Sequence, residues 1–376
     1  AAYLFPGSPK GINLNGEAAS YVDDFEGSQI PLDISSPRQW FLASVPKEQT
    51  DPALDFEGLN DMTDTSPFKS GKKRSRLAWY TIDRLFYGSQ LKPSNIDDNE
   101  ISRAEVRRVN FEELFPQLQL DVTQTNIVNT FDLAYYPQER GSYNFNTSVS
   151  SDGKLLNPEA NWGGIMRSLT TTDFQQANIE YIQFWLLDPY TNYSITPEEG
   201  APTTVNSADF GGELYFNLGN ISEDILDDNR RMYENGLPGD GNQIEGTNIE
   251  STIWSSIPKN QALIYAFSEE DGERPNQDLG LDGVPDNNGT DNDEESKFAA
   301  FLNDINNVPG LSPQVISELN SDPASDNFQF FRGSALDAAD AGILLRYKRF
   351  NDTQGNSPTI NNSTESFPTS ATSFPD

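Results

Sequence analysis

The residues best suited to bind a ligand lie in an acidic stretch in the second half of the chain. Asp278, Asp282 and Asp286 recur at every fourth position of the segment DLGLDGVPD, and Gly283 frees the backbone to turn between them. Carboxylate oxygens on such a loop are the ligands that a hard cation prefers. We therefore predict a calcium site at Asp278, Asp282 and Asp286, with a solvated acidic loop as the alternative.

This segment is similar to the calcium loops of dockerins and thrombospondin type 3 repeats, but it departs from them. Gly280 stands where those loops carry a ligand Asp or Asn, and Gly289 stands where an EF-hand carries its bidentate Glu. Further carboxylates follow closely, and a divalent ion would relieve their mutual repulsion. They are Asp291, Asp293, Glu294 and Glu295.

A second candidate cation site lies near the beginning of the chain, in the segment YVDDFEG. This segment is similar to the opening of galactose-binding-like jelly rolls, in which an acidic residue of the first strand often binds a structural calcium. The residues concerned are Asp23, Asp24 and Glu26. The alternative is a strand whose polar side faces solvent.

The composition excludes several kinds of chemistry. The chain has no histidine and no cysteine, which removes Ser-His and Cys-His nucleophiles, disulfides and Cys/His zinc sites. Its 25 Lys and Arg against 58 Asp and Glu give a formal charge of −33, which repels nucleic acid. A glycosidase could work with a pair of carboxylates alone, but no spacing singles out such a pair. We therefore predict that the chain is not an enzyme.

Five aromatic residues could form a platform for stacking sugars, although a role in the core is the stronger expectation for them. We expect Trp185 to be buried because its segment is strongly apolar, and Trp162 to be exposed because it precedes two glycines. The set comprises Trp79, Tyr80, Trp162, Trp185 and Trp254.

The elements that must position these residues are mainly β. In 179–187 both alternating faces are apolar, which predicts a central strand covered on both sides. Segments 214–218 and 262–267 are two further predicted strands. Short strands with long connections, 24 prolines and 27 glycines favour a galactose-binding-like jelly-roll sandwich with helical and loop insertions.

Helical patterns predict the insertions and a partly helical acidic C-terminal region. We expect helices within 77–86 and 99–114, the latter capped by Asp97 or Asp98, and within 298–305, 313–319 and 335–349. The predicted organisation is an N-terminal segment (1–20), a jelly roll (21–268) with an insertion at about 50–155, an acidic and helical region (269–356) and a linker-like tail (357–376).

Several longer blocks carry a resemblance to a known family. They include RLAWYTID from Arg76, LAYYPQERGSYNF from Leu133, WGGIMR from Trp162, YIQFWLLDP from Tyr181 and LYFNLGNISEDI from Leu214. YENGLP, DLGLDG, SDNF and FRGS follow in the same order. In this order the blocks resemble the SprA family, called Sov in oral relatives, over nearly the whole chain.

The resemblance implies a role in protein export. SprA-like proteins are giant outer-membrane β-barrels, the translocons of the Bacteroidota type IX secretion and gliding machinery. This chain would be a soluble inserted region without a membrane span of its own, excised from a longer parent. Its partners would be the remainder of the parent β-barrel, other type IX secretion components and exported cargo proteins. We expect it at the cell surface, with the periplasmic side as the alternative placement and a carbohydrate-binding or adhesive module as the alternative function.

Overall fold

The computed structural model describes the chain in stretches. The longer ones are 33–45, 71–88, 92–117, 125–169, 249–259, 293–327 and 329–350. The shorter ones are 173–177, 179, 182–187, 194–195, 203–204, 212–219, 221, 224–226, 229–230, 237–239, 273, 276–277 and 279–285. The elements, cores and contacts of the fold belong to these residues.

The described strands are short and pair two by two, always antiparallel. They are β1 (Phe41–Leu42), β2 (Ser75–Tyr80), β3 (Val109–Asn110), β4 (Ile127–Val128), β5 (Asp132–Arg140), β6 (Ile165–Met166), β7 (Ser194–Ile195), β8 (Thr203–Thr204), β9 (Ile249–Ser251) and β10 (Ser256–Pro258). The pairs are β1–β6, β2–β5, β3–β4, β7–β8 and β9–β10. Small antiparallel sheets joined by loops therefore form the β part of the described fold, and the jelly-roll sandwich stays a prediction.

The longest ladder is the β2–β5 pair. Its register aligns Tyr80 with Asp132 and Arg76 with Tyr136, and then shifts so that Ser75 faces Arg140. The shift bulges 137–139 out of the ladder, at a proline that has no N–H to donate. Every β2 side chain except Leu77 is buried.

The predicted strands at 179–187 and 214–218 are corrected by the structure. Residues 182–187 and 214–218 are not assigned to strands, and their large apolar side chains are exposed, Trp185 at 60% and Leu186 at 71%. An apolar run shows that a segment favours burial against other apolar groups. It does not show that the segment's own domain provides those groups. Segment 262–267 lies outside the described residues.

Helices cluster toward the C-terminal end of the described fold. They are α1 (Phe111–Leu114), α2 (Glu294–Lys297), α3 (Ala299–Asn306), α4 (Pro313–Ser321), α5 (Ser334–Ala338) and α6 (Ile343–Tyr347). The predictions at 298–305 and 313–319 are confirmed. The single helix predicted at 335–349 is instead two helices, separated where Asp340 takes a positive φ of 49°.

The helical predictions nearer the N-terminus are wrong. Residues 77–80 belong to β2, and only Arg84–Tyr87 forms a single 3₁₀ turn. The segment 99–114 holds a 3₁₀ turn at Glu100–Ser102 and the four-residue α1. Pairing with β5 buries Ala78 and Tyr80, and this tertiary gain outweighs a weak local helix preference.

Two larger apolar cores organise these elements, beside a small buried cluster of Leu237, Ile249 and Leu279. The first core joins the loop after β5 to α3 and to a turn near Val284, and Phe145 stacks on Phe298 at a ring-centroid distance of 4.6 Å. The second core joins β2 to the C-terminal helices, and its buried members are Ala78, Tyr80, Ile82, Phe86, Ile96, Val106, Phe331, Ile343, Tyr347 and Phe350. The segment 322–326 contributes Ala324 to the first core.

Candidate metal centre

Three carboxylates converge at the edge of the first core. Asp282, Glu294 and Asp326 each offer an oxygen, and these oxygens all lie within 4.8 Å of one another. Their side chains are buried, with exposures of 0%, 3% and 3%. Three acids packed so closely away from water repel one another unless positive charge or protons compensate them.

Asp282 is held by the turn that the sequence predicts at Gly283. Gly280 and Gly283 both take positive φ values, 61° and 75°. The Asp282 carboxylate accepts a hydrogen bond from the Val284 N–H at 2.8 Å. Its backbone carbonyl accepts from the Tyr143 hydroxyl at 2.7 Å and from the indole N–H of Trp254 at 2.9 Å. The first core therefore fixes the backbone of this residue as well as its side chain.

Asp326 reaches the site from a loop far along the chain. Its Oδ2 accepts a hydrogen bond from the Asp282 N–H at 2.9 Å, and its own N–H donates to Asp322 at 3.0 Å. A Cβ on Gly280 would lie only 2.8 Å from Oδ2 of Asp326. The carboxylate of Asp326 therefore occupies the space of a side chain at 280, where the similar calcium loops carry a ligand.

Glu294 enters the site from the first position of α2. Asp293 caps this helix, since its Oδ1 accepts from the Ser296 N–H at 2.9 Å. Oε2 of Glu294 lies 3.5 Å from the N–H of Ala324. The three carboxylates thus come from a loop, a helix and a distant segment, and each is fixed by backbone hydrogen bonds.

Two buried arginines on the β2–β5 pair lie beside the cluster. Arg76 donates to the Ser325 carbonyl at 2.7 Å, and Arg140 donates to the Pro323 carbonyl at 2.8 Å. Burial lowers the pKa of Arg140 to about 10, while Asp322, Glu294 and Asp326 favour its charged form. Burial likewise lowers the pKa of Arg76. With a pKa of about 10, the Arg140 guanidinium stays positive at neutral pH and offsets part of the negative charge.

The donor set fits a hard divalent cation. Every side-chain donor is a carboxylate oxygen, which suits Ca²⁺ or Mg²⁺ and not a thiolate- or imidazole-selective metal. Ca²⁺ takes six to eight oxygens, so backbone carbonyls or water would complete its coordination. The arrangement could alternatively be neutralised by Arg76 and Arg140 alone.

The structure places one of the six residues predicted as ligands in this cluster, Asp282. Asp278 and Asp286 lie outside the described residues, as do Asp23, Asp24 and Glu26, so their roles stay predictions. Sequence reasoning did not assign Glu294 and Asp326 as ligands. Glu294 stood in the acidic run, whereas nothing in the spacing linked Asp326 to Asp282, since the fold alone brings them together.

Three of the five aromatic residues lie in the core as expected, and Trp162 and Trp185 do not follow the sequence expectation. Trp79 and Trp254 are buried, at 0% and 3% exposure, as is Tyr80. Trp162 is half-buried, with the Arg74 guanidinium 4.3 Å from its ring centroid. Trp185, expected in the core, is the exposed member of the set.

Comparison with known proteins relates one part of the chain to a family. A family model, SprA_N, described as motility related/secretion protein, matches residues 300–376. Residues 300–376 are therefore similar to the SprA family. The match supports the inferred resemblance over these residues, which contain the blocks SDNF and FRGS. No curated protein matches the chain.

The SprA-family match covers the C-terminal part of the chain. It begins in α3 and includes Asp326, α4, α5 and α6, whereas Asp282 and Glu294 lie upstream of it. Within the described stretches, no helix has the length and apolar character needed to cross a membrane. The candidate site therefore joins the matched region to the loop that precedes it.

Proposed function

We propose that this chain is a non-catalytic segment of an outer-membrane protein-export channel of the type IX secretion and gliding machinery. The match of residues 300–376 to the motility and secretion family carries the proposal. The ordered sequence blocks that resemble SprA-like proteins support it. In this role the segment caps or lines the translocon on the cell-surface side.

The proposed lack of catalysis is supported by the chemistry available. The chain has no histidine and no cysteine. Among the described residues, the carboxylates that converge do so at a site where each is at most 3% exposed, which gives a substrate no access. A scaffolding role is compatible with such a site and a hydrolytic one is not.

An exposed apolar surface supports contact with the remainder of the parent channel. The segments 182–187 and 214–218 meet at Phe184 and Phe216, whose ring centroids are 4.8 Å apart. Contiguous exposed apolar groups are typical of protein-binding surfaces. We propose that the parent polypeptide covers this surface. Its exposed large members are Ile182, Phe184, Trp185, Leu186, Leu187, Leu214, Tyr215, Phe216 and Leu218.

The test is made in the full-length parent, in the bacterium that encodes it. The double variant Phe184→Ser, Phe216→Ser should lower secretion of cargo that bears a type IX signal and should reduce spreading on agar. Ile253→Ser is the matched control, because Ile253 is 62% exposed and lies outside this surface. Immunoblots of the membrane fraction report whether each variant parent accumulates normally.

Two results would contradict the proposal at different levels. Normal secretion by the double variant would exclude a contact at the apolar surface while leaving the export role standing. Normal secretion after deletion of residues 33–350 from the parent would exclude the export role of this segment. Accessibility of an engineered cysteine at Ile253 to a membrane-impermeant label in intact cells tests the cell-surface placement.

We also propose that Asp282, Glu294 and Asp326 bind one calcium ion that stabilises the fold. The convergence of three buried carboxylates supports this, as does the resemblance of the Asp282 loop to calcium loops. The ion would join the loop at 279–285 to α2 and to the segment 322–326. The affinity expected for such extracellular sites is about 10⁻⁴ to 10⁻³ M.

Terbium luminescence offers a direct test, because the Trp254 indole lies beside the site. Its N–H is 2.9 Å from the Asp282 carbonyl oxygen, so excitation through tryptophan should sensitise a bound Tb³⁺ that calcium then displaces. Asp326→Asn should abolish the signal, whereas Asp304→Asn, the same change at an exposed position of α3, should keep it. Equal luminescence from the two variants would contradict ion binding at this site. The negative charge of the three carboxylates would then be compensated by Arg76 and Arg140 alone.

A further inference from the structure

The C-terminal segment 331–350 packs against a surface far away in sequence. Its partner is the second-core face of the β2–β5 pair with residues 81–88 and 92–106, and these two parts meet mainly through rings. Tyr347 stacks on Tyr80 with ring centroids 4.5 Å apart, and Phe331 packs against Phe86 at 5.7 Å. Phe350, the last described residue, is buried at 2% exposure.

Polar bonds fix the same contact. The Tyr347 hydroxyl accepts from the Asp83 N–H at 2.8 Å, and Glu100 accepts from the Ile343 N–H at 2.8 Å. The Asn95 amide donates to the Ala341 carbonyl at 2.9 Å. Each of these bonds joins residues at least 243 positions apart, so none can form within either part alone.

Among the described residues, the rings of each part pack within that part or against the other part. The aromatic side chains of 331–350 contact one another and the β2 side, with Phe331 stacked on Tyr347 at 5.0 Å and Phe350 edge-on to Tyr347 at 5.4 Å. On the other side, β5 points Leu133 and Tyr135 outward at 47% and 41% exposure, which leaves Ala134 and Tyr136 to face the second core. Removing one part would expose the core of the other.

We infer that 331–350 and the β2–β5 pair with 81–88 and 92–106 form one cooperative folding unit. The region that the SprA-family model describes from residue 300 is then structurally completed by residues more than 200 positions upstream. Cooperative opening of these two parts does not depend on the proposed export role, because it is a property of the fold itself.

Hydrogen exchange of the full chain, followed by mass spectrometry of its peptides, tests this inference. Tyr347→Phe removes the acceptor for the Asp83 N–H and keeps the stacked ring. It should lower protection about three- to tenfold, the range expected for one lost hydrogen bond, in peptides covering 75–86 and 132–136 as well as 343–350. Phe86→Leu, a change made from the other side, should lower protection in 331–350.

An exposed tryptophan outside both cores provides the control position. Trp185→Leu, at a 60% exposed position outside both cores, should leave all these peptides unchanged. If Tyr347→Phe and Phe86→Leu each raise exchange only in their own part, the two parts open independently and the inference is wrong. Since Tyr347→Phe keeps the ring, it answers the question even if Phe86→Leu does not fold.

Discussion

At the scale of single residues, Gly280 shows how a departure from a sequence pattern can be part of a site. Its φ of 61° disfavours any side chain, and a Cβ there would meet the Asp326 carboxylate at 2.8 Å. That carboxylate cannot move away without losing its bond to the Asp282 N–H. A methyl group at 280 therefore strains the backbone and also displaces a candidate ligand.

We predict that Gly280→Ala destabilises the protein by roughly 1 kcal/mol more than Gly310→Ala does. Gly310 is the matched control, since it also has a positive φ, 91°, but has open space around the position of a Cβ. Urea unfolding of the three proteins measures the difference. Equal losses of stability in the two variants would mean that the Asp326 carboxylate moves aside without an energetic cost and that its position is not fixed.

A second prediction at this scale concerns Asp132, at the start of β5. Burial raises the pKa of its carboxyl to about 6, although hydrogen bonds from Thr130 and the Ile82 backbone oppose the shift. The folded state therefore holds this proton more tightly than the unfolded state does. The contribution of this group to the free energy of unfolding is fully present below about pH 4 and is lost as the pH rises to about 6.

Asp132→Asn cannot ionise, so it should not lose stability as the pH rises. The stability of this variant relative to the wild type should therefore increase between pH 4 and pH 6. The expected gain is about 1–3 kcal/mol, on the basis of 1.36 kcal/mol per unit of pKa shift. Because the many other carboxylates titrate in both proteins, the difference between the two denaturation curves isolates this group. A constant difference across the pH range would contradict the assignment.

At the scale of elements, the short helix α2 depends on its cap. Four residues are too few for a stable helix on propensity alone, so the Asp293 cap and the packing of Phe298 must hold it. Since α2 begins at Glu294, fraying of its first turn would withdraw Glu294 from the candidate metal centre. The cap and the site are thus linked through one turn of helix.

Asp293→Ala should cost about 1 kcal/mol of stability and weaken terbium luminescence, because the bond to the Ser296 N–H is lost. Asp293→Asn keeps an oxygen acceptor at the same place and removes only the charge. We expect this variant to retain most of both signals. If Asn and Ala behave alike, the negative charge of Asp293 matters and its capping bond does not.

At the scale of the whole molecule, the formal charge of −33 opposes folding through self-repulsion. Sodium chloride screens exposed charges over about 10 Å at 0.1 M. Raising the salt from low to moderate concentration should therefore raise the Tm by a few degrees, at about 2–4 °C per kcal/mol. Thermal unfolding followed by near-ultraviolet circular dichroism measures this.

Calcium chloride at matched ionic strength separates screening from binding. In calcium chloride the Tm of the wild type should rise further by mass action, because calcium binds the folded state. Asp326→Asn should show the rise that comes from screening but not this additional rise from calcium. A Tm that does not change with sodium chloride would mean that the negative charges lie too far apart to repel. Identical curves in the two salts would contradict specific calcium binding.

The sequence by itself determined the classes of chemistry and much of the C-terminal helical structure. The absence of His and Cys and the charge of −33 follow from composition alone. Helices α3 and α4 were predictable because their signals are local, with Pro313 and Ser312 marking the start of α4 and an apolar stripe along α3. The Gly283 turn and the placement of Asp282 at a possible cation site depended on similarly local patterns.

Only the tertiary structure decided which distant residues meet. Asp326 joins Asp282 across 44 positions, and Tyr347 joins Asp83 across 264, and no spacing rule relates such residues. The same limit explains the errors at 77–80 and 182–187. Pairing with β5 made a strand of the first, and the second is exposed although its apolar pattern predicted a buried strand. Periodicity records that a side chain favours an apolar environment, whereas the fold determines whether this chain or a partner provides it.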